Sequence, residues 1–123
     1  MTALLIVDDD EDIRLALAEV LEIGGFEVRL AANGREALAQ LREDAVAPAL
    51  ILLDMMMPVM DGWTLMGELG KDARLASIPI VVLSAYRGPS EVPMPITPRA
   101  VVPKPVSMDG LLQAVRRALG SVD

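Results

Sequence analysis

Two apolar patterns alternate along the chain. Ala3–Val7, Ala49–Leu53 and Ile80–Leu83 are runs with no polar interruption, as in strands covered on both faces. Ala100–Val102 is a shorter run of the same kind, and Phe26–Ala31 alternates as a strand does. Between these runs the period lengthens. Ile13, Ala16, Leu17, Val20 and Leu21 fall on one helical face, and Gly24-Gly25 ends that helix. Asn33 and Glu36 have the spacing of a capping box, followed by Ala37, Leu38 and Leu41 on one stripe. Asp61-Gly62 is a turn signal. Leu65, Met66 and Leu69 then predict a third helix, weakened by Gly67 and Gly70. Ser107 caps a last helix with Leu111, Leu112, Val115, Ala118 and Leu119 on its inner face. Residues 85–98 hold Pro89, Pro93, Pro95 and Pro98 and no helical period, which predicts a loop.

Strands thus alternate with helices, except for the loop before the last strand. Strands buried on both faces and joined through helices predict a parallel sheet with helices on both sides. Right-handed crossovers restrict the topology. Ligands of such sheets sit at the carboxyl ends of the strands.

Those ends carry the chemistry. The first strand runs into Asp8, Asp9 and Asp10, the third into Asp54, the fourth into Ser84, and the last is followed by Lys104. Asp10 also suits the N-cap of the first helix. Asp8, Asp9 and Asp54 gathered on one edge repel one another, which a divalent cation relieves. Oxygen ligands without His or Cys select Mg²⁺ or Mn²⁺. Lys104 adds a cation and Ser84 a hydroxyl. This set suits a transferring phosphoryl group, and a carboxylate can itself accept that group as an acyl phosphate.

Composition narrows the classes. The 123 residues contain no Cys and no His. That excludes a disulfide framework, thiolate or imidazole metal sites, a Ser–His triad and a phosphohistidine carrier. The net charge of −7 disfavours a phosphate backbone, and Phe26, Trp63 and Tyr86 are too few for base stacking. Neither nucleic acid nor membrane is an expected partner. No apolar run reaches membrane-spanning length, and the start lacks the basic residues of a signal peptide, so a cytoplasmic location is expected. At 53% apolar residues the chain can build a core as one domain over residues 1–123.

Two other readings of the acids are weak. Asp8, Asp10, Asp12 and Glu19 have much of the spacing of a calcium loop, but Ile13 stands where its sharp turn needs Gly. A phosphatase of the haloacid-dehalogenase type needs a second Asp two residues after the nucleophile, where this chain has Met56.

Over residues 3–120 the chain resembles the receiver domain of two-component response regulators. The resemblance is carried by Leu5 to Asp10 (LIVDDD), Ile51 to Asp54 (ILLD) with Pro58 and Asp61-Gly62, Val82 to Ala85 (VLSA), and Lys104-Pro105. It implies a flavodoxin-like, doubly wound α/β fold with a five-stranded parallel sheet in the order 2-1-3-4-5. It further implies that Asp54 is the phosphoacceptor, and that Asp9, Asp54 and the Met56 backbone carbonyl ligate Mg²⁺, with Asp8 acting through water. Ser84 would bind the phosphoryl group and move with it. Lys104 would pair with phosphoryl oxygens, and its bond to Pro105 would be cis. The donor would be a sensor histidine kinase or phosphotransfer protein, and the chain would be a phosphoacceptor rather than a turnover enzyme.

Two features depart from the family pattern. Val101 occupies the place of the family's aromatic switch residue, and the Pro-rich loop stands in place of the fourth helix. Output is therefore expected to run through Ala85 and Tyr86, next to Ser84. The expected protein is a stand-alone receiver that signals by docking to another protein or relays phosphate onward. The alternative is a pseudo-receiver, an interaction module of the same fold that is not phosphorylated in use.

Overall fold

A computed structural model describes residues 2–84 and 94–120. The strands are β1 (Ala3–Val7), β2 (Glu27–Ala31), β3 (Leu50–Asp54), β4 (Ile80–Ser84) and β5 (Ala100–Pro103). The helices are α1 (Glu11–Ile23), α2 (Gly34–Glu43), α3 (Gly62–Leu69), α4 (Ala73–Ala76) and α5 (Met108–Ala118). All strands are parallel, in the order β2-β1-β3-β4-β5.

Successive side chains of the apolar runs point to opposite faces of the sheet, which divides the core. Leu5, Val7, Ile51, Leu53, Ile80 and Val82 pack with α2, α3 and α4. Leu4, Ile6, Leu50, Leu52, Val81 and Leu83 pack with α1 and α5. The Met-rich segment after β3 divides too: Met55 is buried in the core, whereas Met56 is 73% exposed.

Each helix starts on a side-chain cap, which satisfies an otherwise unpaired backbone N–H. Asp10 accepts from Ile13 N, Asn33 from Glu36 N, Asp61 from Thr64 N and Ser107 from Gly110 N. The Glu36 carboxylate accepts from Ala32 N beside the Asn33 cap. The sequence pattern misses α4, which Asp72 caps through Arg74 N and Leu75 N. A helix of four residues has no room for a period, and only Leu75 on it is buried. Residues 94–99 contain no helix. The rest of the Pro-rich segment, including Ala85 and Tyr86, lies outside the described residues.

Several polar contacts fasten α2. Gln40 donates to Leu30 O of β2 at 2.7 Å. The Arg74 guanidinium donates to Leu41 O at 2.7 Å and Asp44 O at 3.4 Å, covering carbonyls at the end of the helix. Arg29 pairs with Asp44 at 2.9 Å. At the other end, Gly34 N donates to Met60 O at 3.0 Å.

Candidate functional site

Parallel strands deliver their last residues to one edge. β1 ends at Val7, directly before Asp8. β3 ends on Asp54 and β4 on Ser84, and Lys104 follows Pro103 of β5. Asp54 lies on the central strand, whose five residues are all buried.

The turn from β1 into α1 is built from its own acids. Asp8 is fully buried. One of its oxygens accepts from Asp10 N at 2.9 Å, and the Arg14 guanidinium donates to its backbone carbonyl at 2.7 Å. Asp9 is exposed. Asp8, Asp9 and Asp54 each place a carboxylate oxygen within 4.8 Å of the others.

Lys104 reaches this group from the far side. Neighbouring strands lie about 4.8 Å apart, so β3 is roughly 10 Å from β5, a gap suited to a long unbranched stem. Its ammonium is 3.4 Å from Asp8 Oδ2 and 3.6 Å from Asp54 Oδ2. Its backbone N–H donates to Ser84 O at 2.8 Å, tying the end of β5 to Ser84. The Lys104–Pro105 peptide bond is cis.

Burial pushes the Asp54 carboxyl above its ordinary range. Lys104 pulls the other way, the Asp8 charge adds to the rise, the Met56 N–H opposes it, and Asp9 contributes a little more. Desolvation thus outweighs the nearby lysine. A carboxylate disfavoured by burial and by like charges is one that added positive charge stabilises. The converging donors are hard oxygens, so the residues present fit a hard divalent cation.

Met56 N donates to Asp54 Oδ1 at 3.3 Å while the Met56 side chain faces solvent. Val101 pairs with Val82, two residues short of the edge, and its side chain is about half exposed. The edge therefore gathers Asp8, Asp9, Asp54, Ser84 and Lys104, with Met56 adjoining and Val101 set back. Sequence reasoning missed Arg14 and the capping role of Asp61. Arg14 lies on the polar side of a periodic helix, where nothing distinguishes it from a solvated residue. Asp61 reads as a turn residue, and only the cap contact with Thr64 N reveals what it holds.

Such a sheet, with acids and a lysine converging on its carboxyl edge, defines a class: doubly wound α/β domains with a site suited to phosphoryl transfer. The chain belongs to the response regulator receiver domain family, which it matches over residues 4–116. It is 43% identical over 84 residues to response regulator Rre1 of Synechocystis sp., covering 68% of this chain and 36% of that protein. It is 36% identical over 118 residues to response regulator MprA of Mycolicibacterium vanbaalenii, covering 94% of this chain and 49% of that protein. The chain thus spans about a third to a half of the length of these relatives. Among solved structures, the chemotaxis response regulator CheY4 of Vibrio cholerae superposes with a TM-score of 0.87 at 29% identity, over 96% of this chain and 98% of that one. The receiver domain of the Francisella response regulator 1452 gives 0.85 at 26% identity, over 98% of each chain.

The fold and the family reading of the sequence are both upheld: the chain is a response regulator receiver domain. Nothing in the geometry or the comparisons favours the pseudo-receiver alternative. Another relative is named a DNA-binding transcriptional regulator, RpaA of Synechocystis sp., so the charge argument against nucleic acid extends only to the residues of this chain. No helix among the described residues is long and apolar enough to cross a membrane.

Proposed function

We propose that Asp54 accepts a phosphoryl group from the phosphohistidine of a sensor kinase or phosphotransfer protein. A carboxylate oxygen of Asp54 bonds to phosphorus, the phosphorus–nitrogen bond of the donor breaks, and its imidazole leaves with a proton. The product is an acyl phosphate on Asp54. The observation that carries this reading is the convergence of Asp8, Asp9, Asp54 and Lys104 on one sheet edge.

Lys104 offsets charge on the phosphoryl oxygens, and the Ser84 hydroxyl, at the end of the neighbouring strand, binds one of them. Asp9, Asp54 and the Met56 carbonyl would hold Mg²⁺, or Mn²⁺ in its place. Asp8 would act on the metal through water, its oxygens already being partnered by Asp10 N and Lys104. When bound, the cation supplies positive charge that screens the acids and the incoming phosphoryl oxygens. Output is by docking to a partner protein, and a kinase donor places this work in the cytoplasm.

The test is Mg²⁺-dependent labelling by acetyl phosphate, followed by intact mass and peptide mapping. One phosphoryl group on Asp54, lost in Asp54→Asn and without metal, is expected. Labelling that survives Asp54→Asn would overturn the assignment.

A further inference from the structure

The loop between β3 and α3, residues 55–61, is under strain. Among the described residues other than Gly, Val59 alone has a positive φ, 69°. A β-branched side chain is poorly tolerated there. Met60 N donates to Pro58 O at 2.8 Å across Val59, a three-residue γ-turn of the rarer, strained hand. The Val59 side chain is 70% exposed, so packing does little to compensate. Trp63, the chain's single tryptophan, follows the loop, and its buried indole N–H has no hydrogen-bond partner among the described residues.

Such a loop must be held from outside, and two glycines hold it. Gly62 N donates to Met55 O at 2.9 Å, and Gly34 N to Met60 O at 3.0 Å. Neither position has room for a side chain. A Cβ on Gly62 would lie 2.8 Å from Met55 Cα, and one on Gly34 would lie 2.7 Å from Met60 O and 2.8 Å from Met60 Cγ. Gly34 does not have the positive φ that would itself demand glycine. Its lack of a side chain is used for the approach of Met60. The loop begins at the acceptor, where Met56 N donates to Asp54 Oδ1.

We infer that Gly34, on a different element from the acids, is a positioning residue for the Asp54 edge: it pins the strained 55–61 loop and thereby sets Met56 and Asp54 for the metal. The inference rests on the metal reading above. A strained loop held by few contacts divides between a pinned and a released state, and apparent affinity falls with the fraction that is pinned. Loosening the pin lowers that fraction, and relieving the strain raises it.

The experiment measures Mg²⁺ affinity by calorimetry, and amide exchange at position 34 without metal, in wild type, Gly34→Ala, Val59→Asn and the double variant. Ala is the better helix former at position 34, so its effect isolates the clash with Met60. Gly34→Ala should weaken Mg²⁺ binding about tenfold and speed exchange of amide 34. Val59→Asn, which tolerates positive φ, should slow that exchange and restore most of the affinity in the double variant. Wild-type affinity in Gly34→Ala, with only a lower melting temperature, would reduce Gly34 to a structural role and overturn the inference. If Gly34→Ala fails to fold, Val59→Asn alone decides: tighter binding with slower exchange supports the pin, and no change in either overturns it. If wild type binds no Mg²⁺, the metal reading falls separately, and amide 34 exchange in Val59→Asn still decides whether the loop is pinned.

Discussion

Lys104 donates to Asp8 at 3.4 Å although β3 and β4 lie between their strands and the two residues are far apart in sequence. Asp8 is fully buried and the Lys104 side chain is 20% exposed. A buried carboxylate deprived of its cation is left desolvated, its charge uncompensated, with only the Asp10 N–H to partner it.

Lys104→Ala should therefore destabilise the metal-free protein by about 3–5 kcal/mol, the usual cost of breaking a buried pair. Because Lys104 is the main influence holding the Asp54 carboxyl down, that carboxyl should titrate at still higher pH in the variant. Mg²⁺ binding should persist, since the lysine is not a ligand. Denaturant melts and carboxyl ¹³C titration read the first two effects, and calorimetry reads the third.

Asp54→Asn should be more stable than wild type in the absence of metal at neutral pH. With its carboxyl raised in the folded state, the folded protein holds a proton that the unfolded chain has lost at pH values between the ordinary value and the raised one. Stability therefore falls as pH rises from the ordinary value of 3.8 through the raised one. The advantage of the variant should shrink on acidification and vanish below both values. A gap between the two proteins that is independent of pH would contradict this cause.

Mg²⁺ should stabilise wild type and leave Asp54→Asn little changed. At a hundredfold excess over Kd, one native-state site contributes about 2.7 kcal/mol, or roughly 10 °C in Tm for a domain of this size. Scanning calorimetry with and without the metal measures it.

Arg14→Ala should cost about 1.5 kcal/mol, the lower range for a charged donor, by freeing the Asp8 carbonyl. It should also loosen the turn that sets Asp9 and so weaken Mg²⁺ binding. Arg14→Lys should recover part of the stability, as read by chemical denaturation.

The sheet and its acid edge are legible in the sequence for one reason. Uninterrupted apolar runs require a parallel sheet, and a parallel sheet brings all strand ends to one side. Asp8, Asp9, Asp54, Ser84 and Lys104 follow from that without knowledge of any contact. What is illegible depends on contacts between distant segments. Gly34 reads only as part of a capping box, because Met60 reaches it through the fold. α4 is too short to show a period, and Arg74 reveals what it holds only through Leu41 and Asp44. The strain at Val59 is silent in sequence because Pro58 and Asp61-Gly62 already explain a turn there.

The fastenings of α2 are unequal. Its C-terminal end is gripped by the Arg74 guanidinium, backed by the Arg29–Asp44 pair and by Gln40 on β2. Its first residue hangs on one neutral amide bond to Met60. Charged donors hold more strongly than neutral ones, so the C-terminal end of α2 is the firmer anchor. Ala37, Leu38 and Leu41 keep the body of the helix in the core, so a change at Gly34 would be felt first in the opening turn, where Arg35 is exposed.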